Sequence, residues 1–84
     1  MPHPHILIIE DHPLMADAIA VSVRSCLPQA QCVIASCLQS ALAYLASPTV
    51  WALVLVDLNL PDTAGINTLN VICEWHSQGP LLVF

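Results

Sequence analysis

Three acidic residues stand directly after short apolar segments of the chain. Glu10 and Asp11 follow residues 6–9, and Asp57 follows residues 51–56. If these segments are neighbouring parallel strands, their carboxyl ends meet at one edge of the sheet, and we expect the three carboxylates to converge there. Bare carboxylates at such an edge repel one another until a hard divalent cation sits between them. Mg²⁺ takes oxygen ligands, usually one or two carboxylates together with waters and phosphate oxygens.

Such a site leaves one carboxylate available as a nucleophile. Formation of an aspartyl phosphate is an established covalent use of this group, and a cation neutralises the phosphoryl oxygens during transfer. The alternative is that the acids are helix caps or solvated loop residues. For Asp11 alone, the two interpretations are equally open. The three acids together favour a metal-assisted site in which Asp57 is the acceptor.

The apolar spacing predicts the elements that must position these acids. Four strands alternate with three helices, and the helices end near Pro28, at Ser47-Pro48 and at Gly79-Pro80. The order βαβαβαβ predicts a parallel sheet with right-handed crossovers, in which ligands bind beyond the carboxyl ends of the strands. The predicted strands are 5–9, 31–35, 51–56 and 81–84, and the predicted helices begin at Pro13, near Cys37 and near Ile66. The apolar face predicted for the first helix consists of Leu14, Met15, Ala18, Ile19, Ser22, Val23 and Cys26.

The composition limits the classes of partner. Of the 84 residues 57% are hydrophobic and 8% are charged, yet each apolar segment is far shorter than the ~18–20 residues that span a bilayer. Short apolar segments are typical of strands that are buried on both faces. The net charge is −5 and Arg24 is the single basic residue, which excludes direct contact with nucleic acid, where several phosphates must be neutralised. The same charge excludes binding to an anionic membrane surface.

The four cysteines form no Cys-x-x-Cys pair and have no ligand-like spacing with histidine. We expect reduced thiols, since free cysteine among apolar residues behaves as a small hydrophobe. The first residues lack the charged start of a signal peptide. These features together predict a cytoplasmic protein.

Two segments resemble bacterial response-regulator receiver domains. Residues 6–14, ILIIEDHPL, resemble the first strand and acidic pair of that family, and residues 54–65, VLVDLNLPDTAG, resemble its phosphoacceptor strand and loop. The Asp-His-Pro-Leu sequence at 11–14 is similar to regulators with a LuxR-type helix-turn-helix output domain. The resemblance covers essentially the whole chain. It implies a flavodoxin-like, doubly wound parallel sheet with strand order 2-1-3-4 and a role in transcription regulation.

The resemblance also implies roles for individual residues. Asp57 accepts a phosphoryl group from a histidine kinase, and Mg²⁺ is bound by Glu10, Asp11, Asp57 and Asn59. Asp11 is the expected direct ligand and Glu10, which replaces the commoner aspartate, acts more through water. Asn59 contributes its backbone carbonyl, and its side chain lies near the water that removes the phosphoryl group. Gly65 lets the loop turn into the third helix.

Two groups of the family's site have no counterpart in this sequence. The family uses a hydroxyl residue directly after the fourth strand and a lysine after a fifth strand, whereas this chain contains no lysine. We therefore expect residues 1–84 to form one partial receiver domain without the last helix-strand-helix, with impaired phosphotransfer. We also expect the exposed fourth-strand edge to pair with another copy in a dimer or larger assembly.

Two further classes of function were weighed. The first is a degenerate receiver that self-associates without being phosphorylated. The second is a hydrolase of the haloacid dehalogenase type, which is disfavoured because that family needs Asp-x-Asp and this chain has Asp57-Leu58-Asn59. The chain is therefore expected to be a signalling module and not an enzyme. His12, beside the acidic pair, is expected to be a loop or cap residue, with contact to phosphate as the alternative.

Overall fold

The computed structural model of the chain describes residues 3–57, Ile72 and residues 80–83. The predicted strands and the first two helices are confirmed, although the fourth strand is observed without Phe84, which lies outside the described residues. The predicted third helix also lies outside them, apart from Ile72, which is helical. The elements are β1 (His5–Ile9), α1 (Pro13–Cys26), β2 (Gln31–Ala35), α2 (Leu38–Ala46), β3 (Trp51–Val56) and β4 (Leu81–Val83).

The four strands form one parallel sheet in the order β2-β1-β3-β4. This confirms the expected order 2-1-3-4. The central strand β1 pairs Ile9 with Ala35 of β2 on one side and with Val56 of β3 on the other. Because β1 and β3 run in the same direction and end level with each other, the residues that follow Ile9 and Val56 lie at the same edge of the sheet.

The two helices cover opposite faces of the sheet. Side chains of a strand alternate between faces, so β1 contributes Ile6 and Ile8 to a core with α1, and Leu7 and Ile9 to a second core with α2. All four of these side chains are fully buried. Burial on both faces explains why β1 is a continuous apolar run with no polar alternation.

The face of α1 that contacts the sheet is only partly the predicted one, since Ile19 and Val23 pack against the core as expected. Leu14 is 85% exposed and Met15 is about half exposed, while Ala16 and Ala20 are the buried residues of the helix. The prediction was therefore wrong for Leu14. Small side chains at Ala16 and Ala20 allow the helix to lie close to the sheet, while the larger Leu14 and Met15 face outward.

The start of α1 depends on proline and on the backbone. His12 occupies the N-cap in an extended conformation, and Pro13 takes the first helical position, where the fixed backbone angle of proline suits a helix. The first turn closes when the Ala16 N–H donates to the His12 carbonyl at 2.9 Å. The His12 side chain makes no capping hydrogen bond. The expectation of a cap residue is therefore confirmed for the position of His12 at the N-cap, but its side chain does not act as the cap.

Among the described residues, neither helix combines the length and apolarity that a bilayer-spanning segment requires. Cys26, Cys32 and Cys37 are free thiols, as the sequence predicts. Cys73 lies outside the part of the chain that the structure describes.

Candidate functional site

Asp57 lies at the carboxyl end of β3 with its backbone held by the neighbouring strand. Its N–H donates to the Ile9 carbonyl at 2.9 Å, which extends the β1–β3 ladder by one residue. The residue is only 8% exposed. The sheet therefore fixes the backbone of Asp57 next to the residues that leave β1.

Glu10 is held at the same edge by the other neighbour of β1. Its N–H donates to the Ala35 carbonyl of β2 at 3.0 Å, and its side chain is almost completely buried. A charged carboxylate is stable in such a place only when it is paired or hydrogen-bonded. Within the described residues, both of the Glu10 contacts that meet this need come from His12.

His12 contacts Glu10 through its backbone and through its ring. The His12 N–H donates to Glu10 Oε1 at 3.0 Å, and His12 Nδ1 lies 2.7 Å from the same oxygen. Nδ1 is also 3.0 Å from Asp11 Oδ1. The hydrogen bond to Glu10, followed by the charge of Asp11, raises the pKa of the His12 imidazole above its usual 6.5. The ring is mostly exposed, so solvent reaches the site on this side.

Asp11 has a carboxylate oxygen that is left without a donor. Its Oδ1 atom is buried, and within the described residues it accepts no hydrogen bond, although His12 Nδ1 is close. A neutral imidazole has one N–H, and the shorter contact directs that proton towards Glu10. A buried oxygen that lacks a donor is costly, and a bound cation at this position would satisfy it.

The four residues together form a compact donor cluster. One ligand atom from each of Glu10, Asp11, His12 and Asp57 lies within 4.8 Å of the others. The predicted convergence of the three carboxylates is therefore observed. Carboxylate oxygens suit a hard divalent cation such as Mg²⁺, and the orphaned Asp11 oxygen fits the same group. The residues present thus fit a divalent cation.

Other predicted site residues have different outcomes. Asn59 and Gly65 lie outside the described residues, so their assigned roles stay predictions.

The two contacts of His12 with the acidic pair are not predicted from the sequence, which places this residue in a loop or a cap. The sequence spacing could have predicted these contacts. His12 lies two positions after Glu10, between a strand and a helix, and such a side chain can reach back to the carboxylate at the end of the strand.

An apolar groove lies on the sheet face that carries α1, apart from the acidic cluster. Its volume is about 560 Å³, and Leu82 of the edge strand β4 forms part of its wall. Leu82 is 56% exposed. Most of the apolar face predicted for α1 borders this groove, namely Met15, Ala18, Ile19, Ser22, Val23 and Cys26. Of these, Ile19 and Val23 also pack against the core between α1 and the sheet.

Comparison with known proteins identifies what the chain is similar to. The family model of the response regulator receiver domain matches residues 6–84. A solved structure of the non-phosphorylated HemR receiver domain from Leptospira biflexa is similar over 95% of this chain and 62% of its own, with 25% identity and a TM-score of 0.75. A sensor protein from Polaromonas sp. JS666 is similar over 98% of this chain and 65% of its own, with 25% identity and a TM-score of 0.81.

A third solved structure supports the fold alone. TrrA from Thermotoga maritima, in complex with Mg²⁺ and BeF, is 16% identical, with a TM-score of 0.79 over 95% of this chain and 67% of its own. The chain thus spans about two thirds of the length of these solved proteins. No curated protein matched the sequence.

Proposed function

The chain belongs to the response regulator receiver domain family, and we propose that Asp57 is its phosphoacceptor, taking a phosphoryl group from a histidine kinase. The observation that carries this proposal is the position of Asp57. It is a buried carboxylate at the end of β3, with the carboxylates of Glu10 and Asp11 within 4.8 Å. Receiver domains are the phosphorylated modules of two-component systems, so the family favours this role.

The transfer is a displacement at phosphorus. An oxygen of the Asp57 carboxylate forms a bond to phosphorus while the P–N bond of the kinase phosphohistidine breaks. The electron pair of that bond leaves with the imidazole, which then takes a proton. The backbone bond from Asp57 to Ile9 fixes the strand end from which the Asp57 side chain projects, which limits the positions open to the attacking oxygen and removes part of the entropic cost of the reaction.

Glu10, Asp11 and Asp57 would hold Mg²⁺, and the backbone carbonyl of Asn59 is proposed as a further ligand. When bound, the cation neutralises negative charge on the phosphoryl oxygens. Asp11 is proposed as a direct ligand because its Oδ1 has no donor among the described residues. Glu10 is proposed to act more through water, since His12 already contacts its Oε1 twice. Receiver domains as a family bind Mg²⁺ at an acidic site of this kind.

The 84 residues by themselves are proposed to transfer phosphoryl slowly. The sequence contains no lysine, and removing one group that stabilises charge in a transition state typically lowers a rate by about 10²–10³.

The chain is proposed to be a signalling switch that keeps its phosphoryl group, and not an enzyme that releases a product in each cycle.

The wider setting is also a proposal. The Asp-His-Pro-Leu sequence at 11–14 supports a LuxR-type output domain and a role in transcription regulation. This chain, with its net charge of −5, would leave DNA contact to that other domain. A histidine kinase partner and the free thiols support a location in the cytoplasm.

The test of the acceptor role is the intact mass after incubation with Mg²⁺ and acetyl phosphate. We expect the chain to gain one phosphoryl group and the Asp57→Asn variant to gain none. The matched control is Asp17→Asn, which removes an acid from the exposed surface of α1 and should leave the gain intact. An unchanged mass of the wild-type chain, beside a positive control receiver that is modified, would sink the acceptor role.

A second candidate function is self-association without phosphorylation. Within the described residues β4 is an edge strand of the sheet, and Leu82 forms part of the wall of the open apolar groove beside it. An apolar edge of this kind favours pairing with another strand. We expect a dimer or larger assembly at micromolar concentration in light scattering, weakened by Leu82→Asp. Val50→Asp, at an exposed position outside the groove lining, is the control, and a monomeric wild-type chain would exclude this function.

A further inference from the structure

The acidic cluster contains one donor whose chemistry differs from that of the other three. His12 Nδ1 lies 2.7 Å from Glu10 Oε1 and 3.0 Å from Asp11 Oδ1. Two neighbouring ligands of an octahedral ion with bonds of about 2.1 Å are about 3.0 Å apart. The ring nitrogen and the Asp11 oxygen thus already have the spacing of two neighbouring ligands that share one ion.

The position of the ring is set by the fold and not by the acids alone. His12 is the N-cap of α1, and its carbonyl accepts the first helical hydrogen bond, from Ala16. Its backbone N–H is tied to Glu10 Oε1 at 3.0 Å. The ring is therefore presented to the cluster at small entropic cost, while its outer side stays open to solvent. An ion reaches the site past the ring without disturbing the sheet.

Nitrogen and oxygen donors select different ions. Imidazole suits the later first-row metals, whereas Mg²⁺ and Ca²⁺ are bound by carboxylates, carbonyls and water. Affinity for a mixed nitrogen and oxygen site rises from Mn²⁺ through Co²⁺ and Ni²⁺. A site made only of Glu10, Asp11 and Asp57 would be a magnesium site, and the ring nitrogen changes that preference.

We propose that His12 Nδ1 is a direct ligand of the cation, and that this site therefore binds first-row ions such as Co²⁺ and Ni²⁺ more tightly than Mg²⁺. The ion takes the place of the Nδ1 proton, which passes to solvent, and it also satisfies the orphaned Asp11 oxygen. This inference rests on the cation site of the proposed function but does not depend on phosphoryl transfer to Asp57.

The experiment measures Co²⁺ and Mg²⁺ binding by calorimetry at one pH, for the wild-type chain, for His12→Gln and for the control His3→Gln. His3 precedes β1, at the opposite edge of the sheet, so its replacement should change neither affinity. For His12→Gln we expect Co²⁺ affinity to fall by at least about tenfold, with Mg²⁺ affinity kept within about twofold because water replaces nitrogen at little cost to a hard ion. Equal losses for both ions, or no loss of Co²⁺ affinity, would overturn the inference.

A second measurement separates a ligand from a residue that only positions the carboxylates. In the proton NMR spectrum of the Co²⁺-loaded chain, a coordinated imidazole gives an exchangeable N–H resonance that the paramagnetic ion shifts far outside the ordinary range. We expect this resonance in the wild type and in His3→Gln, and its loss in His12→Gln. Its absence from the wild type overturns the inference. Failure of the acceptor role would instead appear as an unmodified Asp57 in the mass experiment, with Co²⁺ binding intact.

Discussion

Replacing Asp57 by asparagine is predicted to stabilise the metal-free protein. The Asp57 ligand atom lies within 4.8 Å of those of Glu10 and Asp11, so folding brings like charges together. The asparagine side chain has nearly the same shape as the aspartate it replaces, and the backbone bond to Ile9 stays in place. The substitution removes the negative charge and turns one acceptor oxygen into an NH₂ donor.

The size of the effect follows from the spacing. The ligand atoms lie no more than 4.8 Å apart, and one pair of like charges at that limit repels by about 0.9 kcal/mol in bulk water and by about 3.5 kcal/mol at an effective dielectric constant of 20. Asp57 and Glu10 are both buried, so the true value lies well above the limit for water. Asp57 has two carboxylate neighbours, and the imidazole of His12 offsets part of this repulsion. We therefore expect Asp57→Asn to raise the free energy of unfolding by about 1–3 kcal/mol.

The assay is urea unfolding in EDTA and again in Mg²⁺. In EDTA the variant should be more stable than the wild type. In Mg²⁺ the difference in free energy of unfolding should become smaller or change sign, because the ion stabilises the wild-type cluster more strongly. Asp17→Asn, which removes an acid outside the cluster, controls for the general loss of one negative charge. A variant that is less stable than the wild type in EDTA would refute the reasoning, since repulsion would then not dominate at Asp57.

Two further predictions test the core and the site. Ile8→Ala, at a side chain with no exposed surface, should lower the free energy of unfolding, measured in urea, by about 2–5 kcal/mol. Val50→Ala, at an exposed position, should change that free energy little. Equal effects of the two substitutions would contradict the described packing. In EDTA, an NMR titration should give His12 a pKa above its usual 6.5, and Glu10→Gln should lower it, because the bond to Glu10 is the main cause of the increase. A folded pKa above the unfolded one means that the stabilisation from this proton is full below about pH 6.5 and is lost as the pH rises through the folded pKa. If Glu10→Gln leaves the pKa of His12 unchanged, the contact with Glu10 is absent in solution.

Most of the sheet was predictable because each strand is marked by a few consecutive residues in the sequence. β1 and β3 are apolar runs that end abruptly in acids, and proline marks the ends of both helices. The order of the strands, by contrast, came from the family resemblance. The spacing of apolar residues alone leaves the neighbours of a strand undetermined, since pairing depends on contacts between residues far apart in the chain.

The orientation of α1 was less predictable for a different reason. Apolar residues occupy more than one face of this helix, so the 3.6-residue period does not select the face that contacts the sheet. In the fold the small residues Ala16 and Ala20 are buried, and Ile19 and Val23 pack beside them against the sheet core. The larger residues Leu14 and Met15 turn outward, and Met15 borders the groove. Shape complementarity with the strands decides between faces that are similar in hydrophobicity.

The sequence by itself determined which residues end the strands, and so placed Glu10, Asp11 and Asp57 at one edge of a parallel sheet. A strand signal lies in a few consecutive residues, and parallel strands bring their ends together. Only the tertiary structure decided what surrounds those acids. It buries Glu10 against His12 and leaves Asp11 Oδ1 without a donor among the described residues. It also brings the His12 ring nitrogen within 3.0 Å of oxygens of both Glu10 and Asp11. These are properties of side-chain direction and burial, which depend on the packing of several elements at once.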